Sequence, residues 1–457
     1  MKIRDFQFLQ LVIQNKKNIE EKKMKKFKGM LLSFAAACLV MGCATKDTVK
    51  ETVKSEDVKT EVKTDAKEVT SNHPFGISDE RYEELMQSAL ISTGNTARIK
   101  KFVEKLKNGE DVYMAAIGGS VTEGAGPASY KDGYAYQFNK KIREKYCSDG
   151  GKNVYFDGAG LSGTPSELGL VRYESDVVDV LKHNPDLLII EFAVNDNGME
   201  PSTRAFEAMI RKALEANNDC VVIALYSAAT YGNSAAAKKP VAEFYEIPQI
   251  DVLSLVKRAV AAGDFAQNKY YTDIVHPTKE GHEIQADCLM YMIEKSLESE
   301  DDIIVMVPDE WCRPKPFTNF TRIKGDDENV KITAGGFNGT DNATQGIKKT
   351  NKPDFPQNWY YNGTTKESFK MTINCKALIL TYKENGNWTN TKFGKAEVYV
   401  DGVKKETLDG QPNGGWGNCV PKLIIDYETC GEHTVEVKMA AGDEDKAFTI
   451  VAMGYSY

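Results

Sequence analysis

Histidine is scarce in this chain, with only 5 in 457 residues. No CxxC pair and no Cys/His cluster at zinc spacing occurs, so no metal site is expected. Positive charge is not in excess: 58 Lys and Arg stand against 66 Asp and Glu, for a net charge of −8. A nucleic-acid partner needs a basic face to meet phosphates, and none is expected here. No internal repeat is visible. The apolar run at 30–42 falls short of the roughly 20 residues of an ordinary spanning helix. What the chain does have is 41% hydrophobic and 10% aromatic residues, enough for globular domains. Its length exceeds one compact core, so two domains behind a non-globular N-terminus are expected.

From Met24 the sequence MKKFKGMLLSFAAACLVMGC has a basic start, a short apolar core and then Gly42-Cys43. It reads as a signal peptide. Residues 1–23 have no signal-like role, and Met24 is a candidate true start. LVMGC resembles a bacterial lipoprotein box. The resemblance implies that Cys43 becomes the lipidated first residue of the mature chain, anchoring it to the membrane at the bacterial cell surface. A plain cleaved signal, which would give a secreted protein, and an uncleaved anchor are the alternatives. Residues 44–72 alternate Lys, Glu, Asp, Thr and Val without an aromatic or an apolar face. Such a segment cannot offset its ordering entropy by burial. The whole of 44–79 is assigned as a solvated tether, with a charge-laced helix as the alternative. Of 9 cysteines, Cys38 and Cys43 fall in the signal region, and the odd remainder requires at least one unpaired within the chain. Cys375, Cys419 and Cys430 are close enough in sequence to include a disulfide.

Residues 80–305 alternate strand-like and helix-like patterns. VYMAAIG (112–118), NVYFDGA (153–159), DLLIIEFAV (186–194) and CVVIALYS (220–227) are nearly continuous apolar runs, as in parallel strands covered on both faces. YAYQFNKKIREKY (134–146), SELGLVRYESDVVDVLKH (166–183) and RAFEAMIRKALEANN (204–218) read as helices, with Ser166 placed to cap the second. The expected fold is a doubly wound, flavodoxin-like three-layer α/β/α sandwich. Sites in such folds lie at the carboxyl ends of strands, and Ser120 and Asn195 stand at such ends.

After residue 305 the pattern changes. VPDEWCRPKPF (307–317) reads as a linker. Beyond it come short alternating runs: SFKMTINC (368–375), ALILTYKE (377–384), KAEVYVDG (395–402), HTVEVKM (433–439) and FTIVAMGY (448–455). VYVDGVKKE (398–406) reads as a hairpin turning at Asp401-Gly402. An antiparallel β-sandwich over 306–457 is expected.

Within VYMAAIGGSVTEGAG (112–126), Ser120 ends an apolar strand between glycines and a polar loop. A serine hydroxyl needs a base within hydrogen-bond reach, and that base needs an orienting group. His73, His183, His282 and His433 are poorly placed: just after the charged stretch 44–72, at a helix end, inside a helix and in the β domain. His276 remains, in YTDIVHPTKEGHE (271–283), with Asp273 three residues before it and Pro277 opening the next helix.

Here the residues resemble a family. Gly118-Gly119-Ser120-Val121-Thr122 looks like the first block of SGNH (GDSL-type) hydrolases, and Asp273-Ile274-Val275-His276-Pro277 like their last. Gly160-Leu161-Ser162-Gly163-Thr164 resembles the second block and Val194-Asn195-Asp196 the third, in the family's order. The resemblance implies Ser120 as nucleophile, His276 as general base and then acid, and Asp273 as the group that orients it. It implies an oxyanion hole of the Ser120 N–H, the Gly163 N–H and the Asn195 side-chain amide. It implies no cofactor and no metal. One departure stands out: Gly119 occupies the position where the family has Asp, which is not the triad acid. Hydrolysis needs a neutral His276, so activity is expected to fall on acidification. Asp196 and Glu191 stay outside the catalytic set, with no role for Glu191. Tyr130 and Tyr134 are candidates for lining the pocket.

The blocks further resemble SGNH enzymes grouped with carbohydrate esterases that remove O-acetyl groups, some with a carbohydrate-binding-like sandwich behind them. That implies an acetylesterase on acetylated hemicellulose or its oligosaccharides. The alternatives are an esterase or lipase of another substrate class and a non-catalytic glycan-binding lipoprotein. The small, polar loop after Ser120 favours a small acyl group. Trp359, Trp388 and Trp416 lie among Asn and Gly in PQNWYYNG, ENGNWTNT and NGGWGN, and are candidate sugar contacts. The alternative is that they fill the sandwich core or the domain interface. Trp416 is further expected to overhang the cleft.

Overall fold

A computed structural model describes residues 71–457 except 301, 326, 348–351 and 354. The signal region with Cys43, and residues 44–70 of the expected tether, lie outside the described residues. No described helix is long and apolar enough to cross a membrane.

The α/β half is built on six strands: β1 (Leu90–Ser92), β2 (Val112–Gly118), β3 (Val154–Gly160), β4 (Leu187–Glu191), β5 (Val221–Tyr226) and β6 (Gln249–Asp251). Their order is β1-β6-β5-β4-β2-β3, with β1 antiparallel to β6 and the other pairs parallel. The apolar runs are explained by cover on both faces. Met114, Ala116, Leu187 and Ile189 face a core with helices Thr96–Asn108, Tyr134–Tyr146 and Lys279–Glu298. Ala115, Ile117, Leu188 and Ile190 face one with helices Ser166–Tyr173, Glu200–Ala216 and Ala235–Phe244. Burying one such aliphatic side chain contributes about 1.5–3 kcal/mol. From β2 the chain goes to β3 on one side and then to β4 on the other. A crevice therefore opens beyond the carboxyl end of β2.

Three expectations are corrected here. Residues 71–79, assigned to the tether, are docked on the α/β half: Ile77 is buried, Phe75 lies 4.8 Å from Phe265, and His73 stacks on Tyr82 at 4.0 Å. Phe75 and Ile77 give this stretch the apolar face that the preceding charged repeat lacks. The helix at 166 is not capped by the Ser166 side chain. Asp196 does this from another loop, accepting the Ser166 N–H at 2.8 Å and its hydroxyl at 2.6 Å. That helix also does not run unbroken to 183, because it widens into a π turn at Glu174–Val178. The turn follows Arg172, whose fully buried guanidinium donates to Ala159 O, Gly118 O and Asp176 Oδ2 at 2.7–2.8 Å.

The second half is antiparallel. Its strands are β7 (Thr321–Arg322), β8 (Val330–Thr333), β9 (Gly346–Ile347), β10 (Lys352–Pro353), β11 (Trp359–Tyr361), β12 (Phe369–Glu384), β13 (Lys395–Val400), β14 (Val403–Asp409), β15 (Asn418–Met439) and β16 (Phe448–Ser456). Eight of them join in one sheet whose main path is β11-β16-β12-β15-β13-β14, while β9 and β10 form a ribbon. The runs at 368–375 and 377–384 are one strand, β12, bent by a bulge between Cys375 and Ala377. The hairpin turns at Asp401 and Gly402, both with positive φ (50° and 77°), as a tight twisted hairpin requires. Cys375 is buried and Cys430 exposed, and neither is bridged.

The two halves share a core. On β12, Leu378, Leu380 and Tyr382 fill the sandwich, while Ala377 and Ile379 between them face the α/β half. The period of two turns one strand into a double-sided wall. The expected linker is clamped across this junction. The Arg211 guanidinium lies 4.4 Å over Trp311 and donates to Pro308 O and Glu310 O. Glu207 accepts the N–H groups of Cys312 and Arg313.

Candidate active site

β2 ends in two glycines because nothing larger fits. A Cβ on Gly118 would stand 2.0 Å from Thr122 Oγ1, and one on Gly119 would stand 2.0 Å from Asn195 Oδ1. Gly119 therefore admits the Asn195 amide to the turn that carries Ser120. Ser120 then opens a helix of 4 residues, Ser120–Glu123, at the strand end. His276 Nε2 lies 2.9 Å from Ser120 Oγ, and His276 Nδ1 lies 2.6 Å from Asp273 Oδ2. The other Asp273 oxygen accepts the N–H groups of Val275 and His276, at 2.7 and 2.8 Å. Partial burial raises the Asp273 pKa, but these hydrogen bonds and the imidazole outweigh it, holding the carboxyl below its ordinary value. Asp273 thus stays ionised beside the ring that it orients.

Ser120, His276 and Asp273, drawn from two ends of the α/β half, meet in one hydrogen-bonded chain. Gly163 and Asn195 stand beside it. Gly163 has φ of 70° and sits in the turn after β3, and Asn195 follows β4. Asp196 is occupied in the interior: its carboxylate pairs with Lys238 at 2.5 Å, both side chains almost wholly buried. Glu191 is fully buried and accepts from Thr122 Oγ1 at 3.2 Å. Burial pushes its pKa up to about 7, against Lys238 and its hydrogen-bond donors. Tyr134 does not line the pocket. It is fully buried, its hydroxyl 2.9 Å from Thr122 Oγ1. Tyr130 is half-buried, edge-on to Tyr136. His282, set aside as a base, ties the loop after Ser120 to the next helix. It accepts the Tyr134 N–H at Nδ1 and donates from Nε2 to Ala125 O. Burial pulls its pKa down to about 4, so it stays neutral.

Several residues at the site carried no signal in the sequence. Glu123 accepts the Ser162 hydroxyl and so joins the Ser120 helix to the Gly163 turn. Tyr231 is 61% exposed, its hydroxyl donating to Val194 O at 3.1 Å, while Thr230 before it donates to Ile274 O in the triad loop. Its place after β5, at the carboxyl edge of the sheet, was the one available hint. From the other half, the Trp416 ring reaches Gly163, where a Cβ would stand 2.8 Å from Cζ2. Trp388, 72% exposed, and Trp416 line a cavity of about 270 Å³ together with Tyr360, Asn385 and Lys383. Trp359 lies apart from them. Its ring is half-buried and packs at a steep angle against Phe369 of the sandwich core, 5.6 Å between centroids.

Residues 116–284 match the sequence model of the GDSL-like lipase/acylhydrolase family. No curated protein matches the chain. Among solved structures, it is similar to a two-domain esterase (CEX) active on acetylated mannans, with TM-score 0.69 and 24% identity over 81% of this chain and 98% of that one. The same esterase co-crystallised with mannopentaose gives TM-score 0.67 and 23% identity over 81% and 97%. Within the α/β half the chain thus matches a GDSL-like acylhydrolase model, and its fold, an α/β domain followed by an antiparallel β domain, is that of the two-domain esterase.

Proposed function

We propose that this protein is a serine esterase that removes O-acetyl groups from acetylated polysaccharides of the hemicellulose type. The observation that carries the reading is the chain Ser120–His276–Asp273, at 2.9 and 2.6 Å. In the first half-reaction Ser120 Oγ bonds to the acetyl carbon while its proton passes to His276 Nε2. The carbonyl oxygen becomes an oxyanion facing the N–H groups of Ser120 and Gly163 and the Asn195 amide. The bond to the sugar oxygen then breaks, and that oxygen takes the proton from Nε2. In the second half a water attacks the acetyl-serine, His276 takes its proton, and acetate leaves as Ser120 regains its hydrogen. Asp273, ionised throughout, favours the imidazolium that forms in each half.

A mannan-type substrate is supported by the two-domain likeness and by the exposed Trp388 and Trp416, which share a cavity from which Trp416 reaches Gly163. An aromatic face suits the apolar face of a sugar ring. Cys43 is proposed as the lipidated residue that holds the enzyme at the bacterial surface. The test is acetate release from acetylated mannan, xylan and pectin by the wild type and by Ser120→Ala. Release from one polymer, lost in the variant, is expected. Cleavage of an aryl acetate with no release from any polymer would discard the polysaccharide reading. For the anchor, Cys43→Ser is expected to move the protein from the membrane to the medium.

A further inference from the structure

The β-sandwich sends one side chain into the turn that carries the Gly163 N–H. Gln345 stands just before β9, and its Nε2 donates to Ser162 O at 2.5 Å. Its Oε1 in turn accepts the Cys419 N–H at 3.2 Å, which fixes the amide's orientation. The acceptor matters because Ser162 C=O and Gly163 N–H belong to one peptide unit. That unit is planar and trans, so its oxygen and its hydrogen point in opposite directions. A donor held on the oxygen sets the plane of the unit and hence the aim of the N–H. It also polarises the unit, making the N–H a stronger donor.

The loop that bears Gln345 is itself held. Asp341 is buried, and its Oδ2 accepts from Lys383 Nζ at 2.9 Å and Thr449 Oγ1 at 2.8 Å. Its Oδ1 accepts the Ala343 N–H, and Lys383 also donates to Ala343 O. Anchored to β12 and β16 in this way, the loop presents Gln345 at a fixed reach. On the near side, the Ser162 hydroxyl is held by Glu123, and Trp416 lies against Gly163.

We propose that Gln345 is a positioning residue for the oxyanion hole: the sandwich domain orients and polarises the Gly163 N–H through Ser162 O. The proposal rests on the ester-hydrolase reading above. It makes the second domain part of the chemistry on any ester, including one too small to touch a sugar subsite.

The test is hydrolysis of a small aryl acetate by the full chain. Gln345→Glu keeps the length and the acceptor for Cys419 and loses the donor to Ser162. Gln345→Met fills the space without either hydrogen bond. Both variants are expected to lose kcat by on the order of ten- to a hundredfold with KM within about twofold, as for a misaimed transition-state donor. The rate of inactivation by a phosphonate ester, whose oxygen occupies the oxyanion hole, is expected to fall by the same factor. A merely structural role would move the melting temperature instead. The proposal is overturned if either folded variant keeps wild-type kcat, or if the loss appears in KM alone. If the wild type itself cleaves no aryl acetate, the ester-hydrolase reading fails and this inference falls with it.

Discussion

Each half of the molecule buries one lysine–carboxylate pair, and the two pairs do comparable work from opposite sides. In the α/β half, Lys238 and Asp196 lie 2.5 Å apart with side-chain exposures of 2% and 0%. In the sandwich, Lys383 and Asp341 lie 2.9 Å apart with exposures of 5% and 8%. The first pair includes the residue that follows Asn195 in the chain, and the second fixes the loop of Gln345. Taking such charges out of water is costly, and well-packed apolar residues would often be as stable or more so. Each carboxylate also accepts further hydrogen bonds: from the helix-opening Ser166 for Asp196, and from the loop residue Ala343 and Thr449 of β16 for Asp341. The difference lies in what depends on them. Asp196 adjoins Asn195, the proposed direct oxyanion donor, whereas Asp341 acts two links away, through Gln345 and Ser162.

That difference predicts a split. Lys238→Met and Lys383→Met each leave a buried carboxylate unpaired, and each is expected to lose about 3–5 kcal/mol of stability, read by denaturant titration. Their kinetics should diverge. Lys238→Met should lower kcat on an aryl acetate as strongly as Asn195→Ala, and Lys383→Met only as far as a Gln345 variant. Equal kcat losses would erase the contrast. Asn195→Ala itself should raise the barrier by about 2.7–4 kcal/mol, seen in kcat. Gly119→Ala should approach that loss, since its Cβ would stand 2.0 Å from Asn195 Oδ1.

The α/β half holds a further contrast, between two buried titratable groups of opposite sign. Glu191 is raised from 4.5 to about 7 by burial, so the folded chain binds a proton that the unfolded chain has released. Its stabilising contribution is complete below about pH 4.5 and is lost as pH rises through 7. His282 is lowered from 6.5 to about 4, so here the unfolded chain binds the extra proton. Its contribution is complete above about pH 6.5 and is lost as pH falls through 4. Between about pH 4.5 and 6.5 the two slopes oppose each other, each at most about 1.4 kcal/mol per pH unit. The wild-type melting temperature should therefore vary little there on their account. Glu191→Gln should make it rise with pH, and His282→Gln should make it fall. Parallel profiles in the two variants would refute the assignment.

What was legible in the sequence follows the same geography. Ser120, Gly163, Asn195 and the Asp273–His276 pair sit at strand ends and loops where short motifs fix both residue type and position. The apolar runs of β2, β4 and β5 marked the sheet because two covered faces leave no polar positions. Trp416 was expected over the cleft, but Gln345 carried no signal, and neither was legible as a partner of the Gly163 turn. Their meeting with Gly163 depends on which surface of β12 docks on which helix layer, and no local pattern encodes that. Residues 71–79 were misassigned for a related reason: Phe75 and Ile77 follow a long charged repeat and take meaning only from the groove they fill. Trp359 shows the limit of composition as a guide, since its Asn-rich surroundings suggested a loop and the residue lies on strand β11, its half-buried ring against the core.

The smallest expected effect separates the two exposed tryptophans. Trp388 lines the sandwich cavity, whereas Trp416 lines that cavity and also lies against Gly163. If the cavity binds sugar, Trp388→Ala removes one stacking face, worth about 1 kcal/mol, or about a fivefold rise in KM on acetylated polymer. Its kcat and KM on an aryl acetate should stay at wild-type values. Trp416→Ala should raise KM on polymer to a similar degree and also lower kcat on the aryl acetate, because the Gly163 turn loses its cover. If Trp388→Ala leaves the polymer KM unchanged while Trp416→Ala lowers kcat on both substrates, the cavity holds no sugar. The sandwich would then act on the reaction through the oxyanion turn alone.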